Sequence, residues 1–350
     1  MNRESVVLPF RTALLGWYKT HQRELPWRQT RDPYAIWLSE IILQQTRVEQ
    51  GQAYYHLFMT TFPTVQHLAA APLNEVLKCW QGLGYYSRAR NLHATAITLV
   101  NDYEGRFPTS YEHLLKLKGV GPYTAAAIAS IAYQLPHAVL DGNVFRVLAR
   151  LFLIDTPIHS TEGKKQFTSL ADALLDPNHP DTYNQAIMDF GALQCVPAKP
   201  NCEACHMKGF CQAYQHDAVS LVPVRKAETP KRVRYFYYFV CRHGDDLFLR
   251  ERTNKDVWHH LWEFPLVETE QPCTLETLLT RPEVKTWLGD TPTLHQPVTL
   301  KHVLSHQIIH ATFIPVDIQQ STIETYTRLS PTAMEAIPVS RMIDLYLSNL

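Results

Sequence analysis

Four cysteines within seventeen residues constrain this chain more than any other feature: Cys195, Cys202, Cys205 and Cys211, in the segment CVPAKPNCEACHMKGFC. The spacing C-x6-C-x2-C-x5-C lets four thiolates wrap one centre, and such a set suits either tetrahedral zinc or an iron–sulfur cluster. Spacing alone leaves the two open. The other three cysteines, Cys79, Cys241 and Cys273, are scattered. The opening stretch MNRESVVLPFRTALLGWYKTHQRE carries no uninterrupted apolar run of the secretory kind, so metal is favoured over disulfides. The expected compartment is a cytoplasm. Apolar runs such as AAAIASIAY fall far short of the ~20 residues a membrane helix needs, so no membrane partner is expected.

The 350 residues suffice for two domains, each with its own core. Lysine plus arginine total 33, as do aspartate plus glutamate, which excludes binding driven by a globally positive surface. The local exception is VRKAETPKRVR at 224–234, with five basic residues against one acidic. Up to about residue 215 the apolar spacing is helical, as in PYAIWLSEIILQQT, YTAAAIASIAY and NQAIMDFGALQC. Beyond it, RYFYYFVC, the turn RHGDD and LFLRER read as a β-hairpin, and HVLSHQIIHATFIPVDI alternates at period two. The expected organisation is an all-α domain over 1–221 that includes the cysteine loop 195–211, a linker over 222–234 and an α+β domain over 235–350.

The cysteine spacing resembles the cluster loop of the endonuclease III superfamily of DNA glycosylases, and the resemblance implies a structural [4Fe–4S] cluster on Cys195, Cys202, Cys205 and Cys211. LKGVGPYTA resembles the helix–hairpin–helix motif of the same superfamily. Gly119 and Gly121 allow backbone dihedrals and close approach that a β-carbon would forbid, and their N–H groups at a helix start can cradle a DNA phosphate without lysine. Asp141, in LDGNVFRVLAR, matches the superfamily's essential aspartate; it also reads as a helix N-cap, and the two roles are compatible. Members that cleave the strand through a Schiff base carry lysine where this chain has Tyr123. Tyrosine forms no imine, so the implied chemistry is base removal by water alone.

WLSEIILQQT places Glu40 on a helix beside Ile36, Trp37 and Leu43, a setting that raises a carboxyl pKa and suits a general acid. The other reading is a glutamate on the solvent face of an amphipathic helix. The segment resembles the catalytic-glutamate helix of the adenine DNA glycosylases (the MutY family), as do LPWR at 25–28, GLGYYSRARNL at 82–92 and NQAIMDFGA at 184–192. By that resemblance Glu40 protonates adenine, Asp141 stabilises the sugar cation, and Tyr123 and Asn143 orient Asp141 and the sugar. The adenine pocket draws on Arg28 and Gln185, while Gln45, Leu83 and Tyr85 wedge into the duplex near the partner base. One of Tyr85 and Tyr86 is expected to be core; Arg88 and Arg90 receive no role.

In this family a C-terminal domain of Nudix hydrolase fold reads 8-oxoguanine, and residues 235–350 resemble it through LFLRER, LWEFP and HVLSH. No intact Nudix metal box is present, which argues against pyrophosphohydrolase activity. Ser305 and His306 match the reading residues, and a serine hydroxyl can accept from the N7 hydrogen that only the oxidised base carries. Leu304 stands where the family usually has phenylalanine and stacks less well. The implied partner is double-stranded DNA with adenine opposite 8-oxoguanine or guanine, bound by a monomer. The rivals are an endonuclease III-like lyase, disfavoured by Tyr123, and a non-catalytic DNA-binding iron–sulfur protein, disfavoured by Glu40 and Asp141 together.

Overall fold

Helices built almost entirely of apolar and small residues sit at the centre of the first of two units. The computed structural model describes residues 3–224 and 230–349; residues 225–229, inside the expected linker, lie outside the described residues. By internal contacts, residues up to 70 group with 91–224, and residues 71–90 group with 230–349. The second unit thus takes in a stretch of chain that the sequence pattern assigns to the helical part, because periodicity reports which face is buried but not against what.

In the first unit the helix Pro33–Leu43 is buried on every side from Tyr34 to Ile42, as an all-round apolar helix must be. It packs against Pro122–Tyr133, whose run of alanines lets two backbones approach closely. The helix Pro180–Asp189 packs against both Arg3–His21 and Pro122–Tyr133. Helix starts follow local chemistry. Pro33, Pro122 and Pro180 occupy first-turn positions where a missing N–H costs nothing. Asp32, Ser110, Asp141 and Ser160 accept from backbone N–H groups as N-caps.

The second unit is a mixed eight-stranded sheet. Its centre is a parallel pair, Arg232–His243 with Gln307–Asp317, in register from Arg232↔Gln307 to Arg242↔Asp317. Asp246–Glu251 returns antiparallel from Arg232–His243 as the expected hairpin, with Gly244 at φ +64° in the turn. Val298–Val303 pairs antiparallel with Gln307–Asp317, so Leu304, Ser305 and His306 form the turn of a second hairpin. The strand Arg232–His243 is buried across both faces from Phe236 to Cys241, matching its near-continuous apolar run. No described helix is long and apolar enough to cross a membrane.

Candidate active site

Glu40 is only 7% exposed, and this excludes the solvent-face reading. Loss of water around a carboxylate penalises its charged form. Burial therefore pushes the Glu40 pKa up to about 7, with the charge of Asp141 acting the same way and Tyr123 and Arg28 opposing. The Tyr123 hydroxyl donates to Glu40 Oε2 at 2.6 Å and lies 3.2 Å from Met188 Sδ. In the structure the Tyr123 hydroxyl meets Glu40, where the sequence reading pairs it with Asp141.

Asp141 caps the helix Gly142–Phe152. Its Oδ1 accepts from Asn143 N at 2.9 Å and Val144 N at 2.8 Å, and its Oδ2 accepts from Asn143 Nδ2 at 2.8 Å. Burial raises the Asp141 pKa, against the pull of these three hydrogen bonds and of the Arg146 charge. Glu40, Tyr123, Asp141, Asn143, Arg28 and Gln185 all line one cavity of about 250 Å³, walled by Leu25, Trp27, Ile36, Leu43 and Met188.

Two of these residues are already engaged. The Arg28 guanidinium grips the carboxylate of Asp189 in a fork, Nη1 to Oδ2 at 2.7 Å and Nη2 to Oδ1 at 2.8 Å. Arg23 Nε joins the same carboxylate at 2.9 Å, and Asp189 has no solvent exposure. The arginines hold the Asp189 carboxyl below its ordinary range in spite of its burial. Gln185 Oε1 accepts from the Tyr18 hydroxyl at 3.4 Å. Sequence reasoning missed Asp189 and Arg23, whose pairing spans 166 residues.

Gly119 and Gly121 differ. Gly119 sits at φ +78°, and a Cβ there would meet Asn91 Cβ at 2.8 Å, so the fold itself demands glycine. Gly121 is the N-cap of Pro122–Tyr133 at an ordinary φ of −90°, with nothing within 4 Å of a built Cβ. The expectation that its dihedrals forbid a side chain is corrected; what its bareness leaves is open surface at a helix start. Gln45 is exposed at φ +57° just after the Glu40 helix and does not line the cavity.

Cys195, Cys202, Cys205 and Cys211 line one further cavity, with Val147, Leu151, Phe190 and Val219 as apolar walls. Burial pushes the Cys205 thiol up to about 11, so ligation there needs a cationic centre to draw off the proton. Arg150 Nη1 lies 3.5 Å from Cys195 Sγ, and Met207 N points at Cys205 Sγ at 3.4 Å. Among the described residues no three His, Cys, Asp or Glu side chains close on a single ion position. The helix that Asp141 caps also holds this loop. Arg146 donates to Cys195 O at 2.7 Å, Gly191 O at 2.6 Å and Asn143 Oδ1 at 2.8 Å; Arg150 donates to Val196 O at 2.8 Å and Pro197 O at 3.0 Å. Two arginines four apart in the apolar run VFRVLARLF were the available signal.

In the second unit a cavity of about 340 Å³ is lined by Leu83, Tyr85, Trp258, His302, Leu304, Ser305 and His306, with Arg90 and Arg341 supplying positive charge. Tyr86 is core, whereas Tyr85 is 47% exposed and held at φ +47°. The Ser305 hydroxyl lies 3.1 Å from His306 Nδ1, and both side chains are exposed on the hairpin turn.

Comparison with known proteins finds two family models along the chain. Residues 38–172 match the model of the HhH-GPD superfamily base excision DNA repair proteins, and residues 237–349 match the NUDIX domain. An adenine DNA glycosylase of Buchnera aphidicola subsp. Baizongia pistaciae is 32% identical over 307 residues, covering 87% of this chain and 84% of the relative. The adenine DNA glycosylase of Mus musculus is 34% identical over 354 residues, covering 86% and 69%. Among solved structures, a thermostable thymine-DNA glycosylase superposes with a TM-score of 0.56 at 33% identity over 59% of this chain and 95% of that one. An endonuclease III–DNA complex shares the fold at a TM-score of 0.54 and 20% identity, over 62% and 98%. A helical glycosylase unit joined to a Nudix-like one, matched along most of its length by such relatives, places the chain in the adenine DNA glycosylase family of base-excision repair enzymes.

Proposed function

We propose that this DNA glycosylase hydrolyses the N-glycosidic bond of adenine paired with 8-oxoguanine or guanine in duplex DNA, and leaves an abasic site without cutting the strand. The observation that carries the reading is Glu40: a buried carboxyl with a pKa near 7, hydrogen-bonded by Tyr123, in the same cavity as Asp141. An extruded adenine is the substrate that such a cavity suits. Tyr123 occupies Oε2, so Glu40 Oε1 is the oxygen that delivers the proton to the base, and the glycosidic electron pair leaves with a neutral purine. Asp141 stabilises the sugar cation until water adds at C1′. Among the described residues no lysine lines the cavity, which supports hydrolysis over Schiff-base chemistry.

The four thiols share one cavity with apolar walls, a donor set that fits a [4Fe–4S] cluster, which takes one thiolate at each of its four irons. Its ligands would be Cys195, Cys202, Cys205 and Cys211, and when bound it would supply structural anchorage. Gly119, Gly121 and the helix start at Pro122 suit a DNA phosphate. In the second unit, the exposed Ser305 hydroxyl has lone pairs able to accept the N7 hydrogen of 8-oxoguanine, which guanine lacks. Leu83 and Tyr85 share that cavity and suit the wedge role, which is also proposed for Gln45.

The test is single-turnover adenine release from duplexes with adenine opposite 8-oxoguanine, guanine or thymine, scored with and without hot alkali. Cleavage only after alkali, fastest opposite 8-oxoguanine, is expected. Strand scission without alkali would overturn the hydrolytic reading, and equal rates on all three duplexes would overturn the reader role of the second unit.

A further inference from the structure

The turn bearing Leu83 and Tyr85 belongs to the second unit by a specific set of bonds. Gln81 Oε1 accepts from Val339 N at 3.2 Å, and Gln81 Nε2 donates to Asp344 Oδ1 at 3.0 Å. On the far side of the turn the Tyr86 hydroxyl donates to Val339 O at 3.4 Å, so the backbone of Val339 is held from both flanks, at its N–H by Gln81 and at its C=O by Tyr86. Lys78 Nζ donates to Ile337 O at 3.2 Å and Arg90 Nη1 to His259 O at 2.9 Å. Asp344 also pairs with Arg341, which lines the reader cavity.

The turn is itself stiff. Gly82 and Gly84 take φ of +98° and +72°, Trp80 Nε1 donates to Gly84 O at 3.0 Å, and the Arg88 guanidinium lies 5.0 Å from the Trp80 ring and 5.7 Å from the Tyr85 ring. A stiff turn fastened at both ends moves with whatever it is fastened to. Here that is the segment from Ile337 to Asp344.

We propose that Gln81 is a positioning residue for opposite-base discrimination: it locks the Leu83–Tyr85 turn in register with Ser305 and His306, so that one pre-assembled surface made of two distant segments reads the base opposite adenine. This rests on the reading of the 340 Å³ cavity as the opposite-base reader. Gln81 does not itself line that cavity, so its effect passes through the turn. A pocket assembled in advance spends less of its binding energy on ordering, and the part preserved is the part that differs between 8-oxoguanine and guanine.

The experiment uses the full chain and measures single-turnover adenine release opposite 8-oxoguanine and opposite guanine, with Tm alongside. Gln81→Leu keeps the volume and deletes both hydrogen bonds, and the 8-oxoguanine-to-guanine rate ratio should fall about five- to tenfold. The loss should come from the 8-oxoguanine duplex, with the guanine rate changing less than about twofold. Gln81→Glu should do the same by repelling Asp344. Adding Asp344→Asn exchanges donor and acceptor and keeps an oxygen for Arg341, so it should restore the ratio. An unchanged ratio in Gln81→Leu, or both rates falling in step with Tm, would overturn the proposal, as would failure of the exchange to rescue. Ser305→Ala separates the two levels. If it leaves the ratio intact, the reader assignment itself fails and takes this inference with it; if it collapses the ratio while Gln81→Leu does not, only the role of Gln81 falls.

Discussion

Glu40→Gln should abolish base release and stabilise the protein, with a pH signature that distinguishes a buried acid from a merely buried side chain. The Glu40 pKa stands near 7 against an ordinary 4.5. Below pH 4.5 the carboxyl is protonated in both folded and unfolded chains and contributes no difference. Between 4.5 and 7 the unfolded chain releases the proton while the folded one keeps it, so stability falls as pH rises; above 7 the full penalty is in place. At about 1.4 kcal/mol per pH unit, that penalty reaches about 3 kcal/mol. Glutamine is neutral throughout and carries none of it. The variant's stability advantage, followed by denaturant unfolding, should therefore grow by about 2 kcal/mol between pH 5.5 and 8. Its single-turnover adenine release should drop by about 10²- to 10⁴-fold, the usual contribution of a general acid, with duplex binding retained. An advantage independent of pH, or no advantage, would refute the buried-acid argument; near-normal turnover would remove Glu40 from the chemistry.

Tyr123→Phe removes a hydrogen bond that lowers the Glu40 pKa, so the high-pH limb of the rate profile should move alkaline by about one pH unit; a limb that stays put or moves acid would show the bond is not made to the ionised carboxyl. Asp189→Asn leaves Arg23 and Arg28 without their shared buried anion and should cost about 3–5 kcal/mol, read as a lowered Tm; a cost below about 1 kcal/mol would place the pair in contact with solvent. Cys202→Ser should lower iron content and DNA affinity together; full iron loading with normal affinity would refute its role as a ligand.

What was legible in the sequence was local chemistry. The apolar run around Glu40, the cap at Asp141 and the glycine turn before Pro122 each depend on residues within a few positions, and the structure places them on elements of the expected kind. What was not legible were partners distant along the chain. The Arg28–Asp189 fork spans 161 residues and the Gln81–Asp344 bond 263, and no periodicity encodes either. For the same reason the helical reading of residues 71–90, which the helix Leu73–Cys79 bears out, carried no sign that Lys78 and Gln81 bond to the C-terminal segment. Tyr123 shows a subtler failure: its identity was informative, but whether its hydroxyl meets Glu40 or Asp141 depends on the packing of two helices and not on its neighbours in sequence.

Burial raises both cavity carboxyls, so desolvation alone does not say which is the acid and which the anion. The donors decide. Asp141 accepts from two backbone N–H groups and one side-chain amide, all of which can only donate. A proton on that carboxyl would weaken it as the acceptor of all three, so the arrangement favours the charged form. Glu40 accepts one hydrogen bond, from Tyr123, on a helix whose other buried residues are nearly all apolar. A proton on its other oxygen displaces nothing and relieves repulsion with Asp141. The helix start therefore assigns the anion to Asp141, and the apolar helix interior assigns the proton to Glu40.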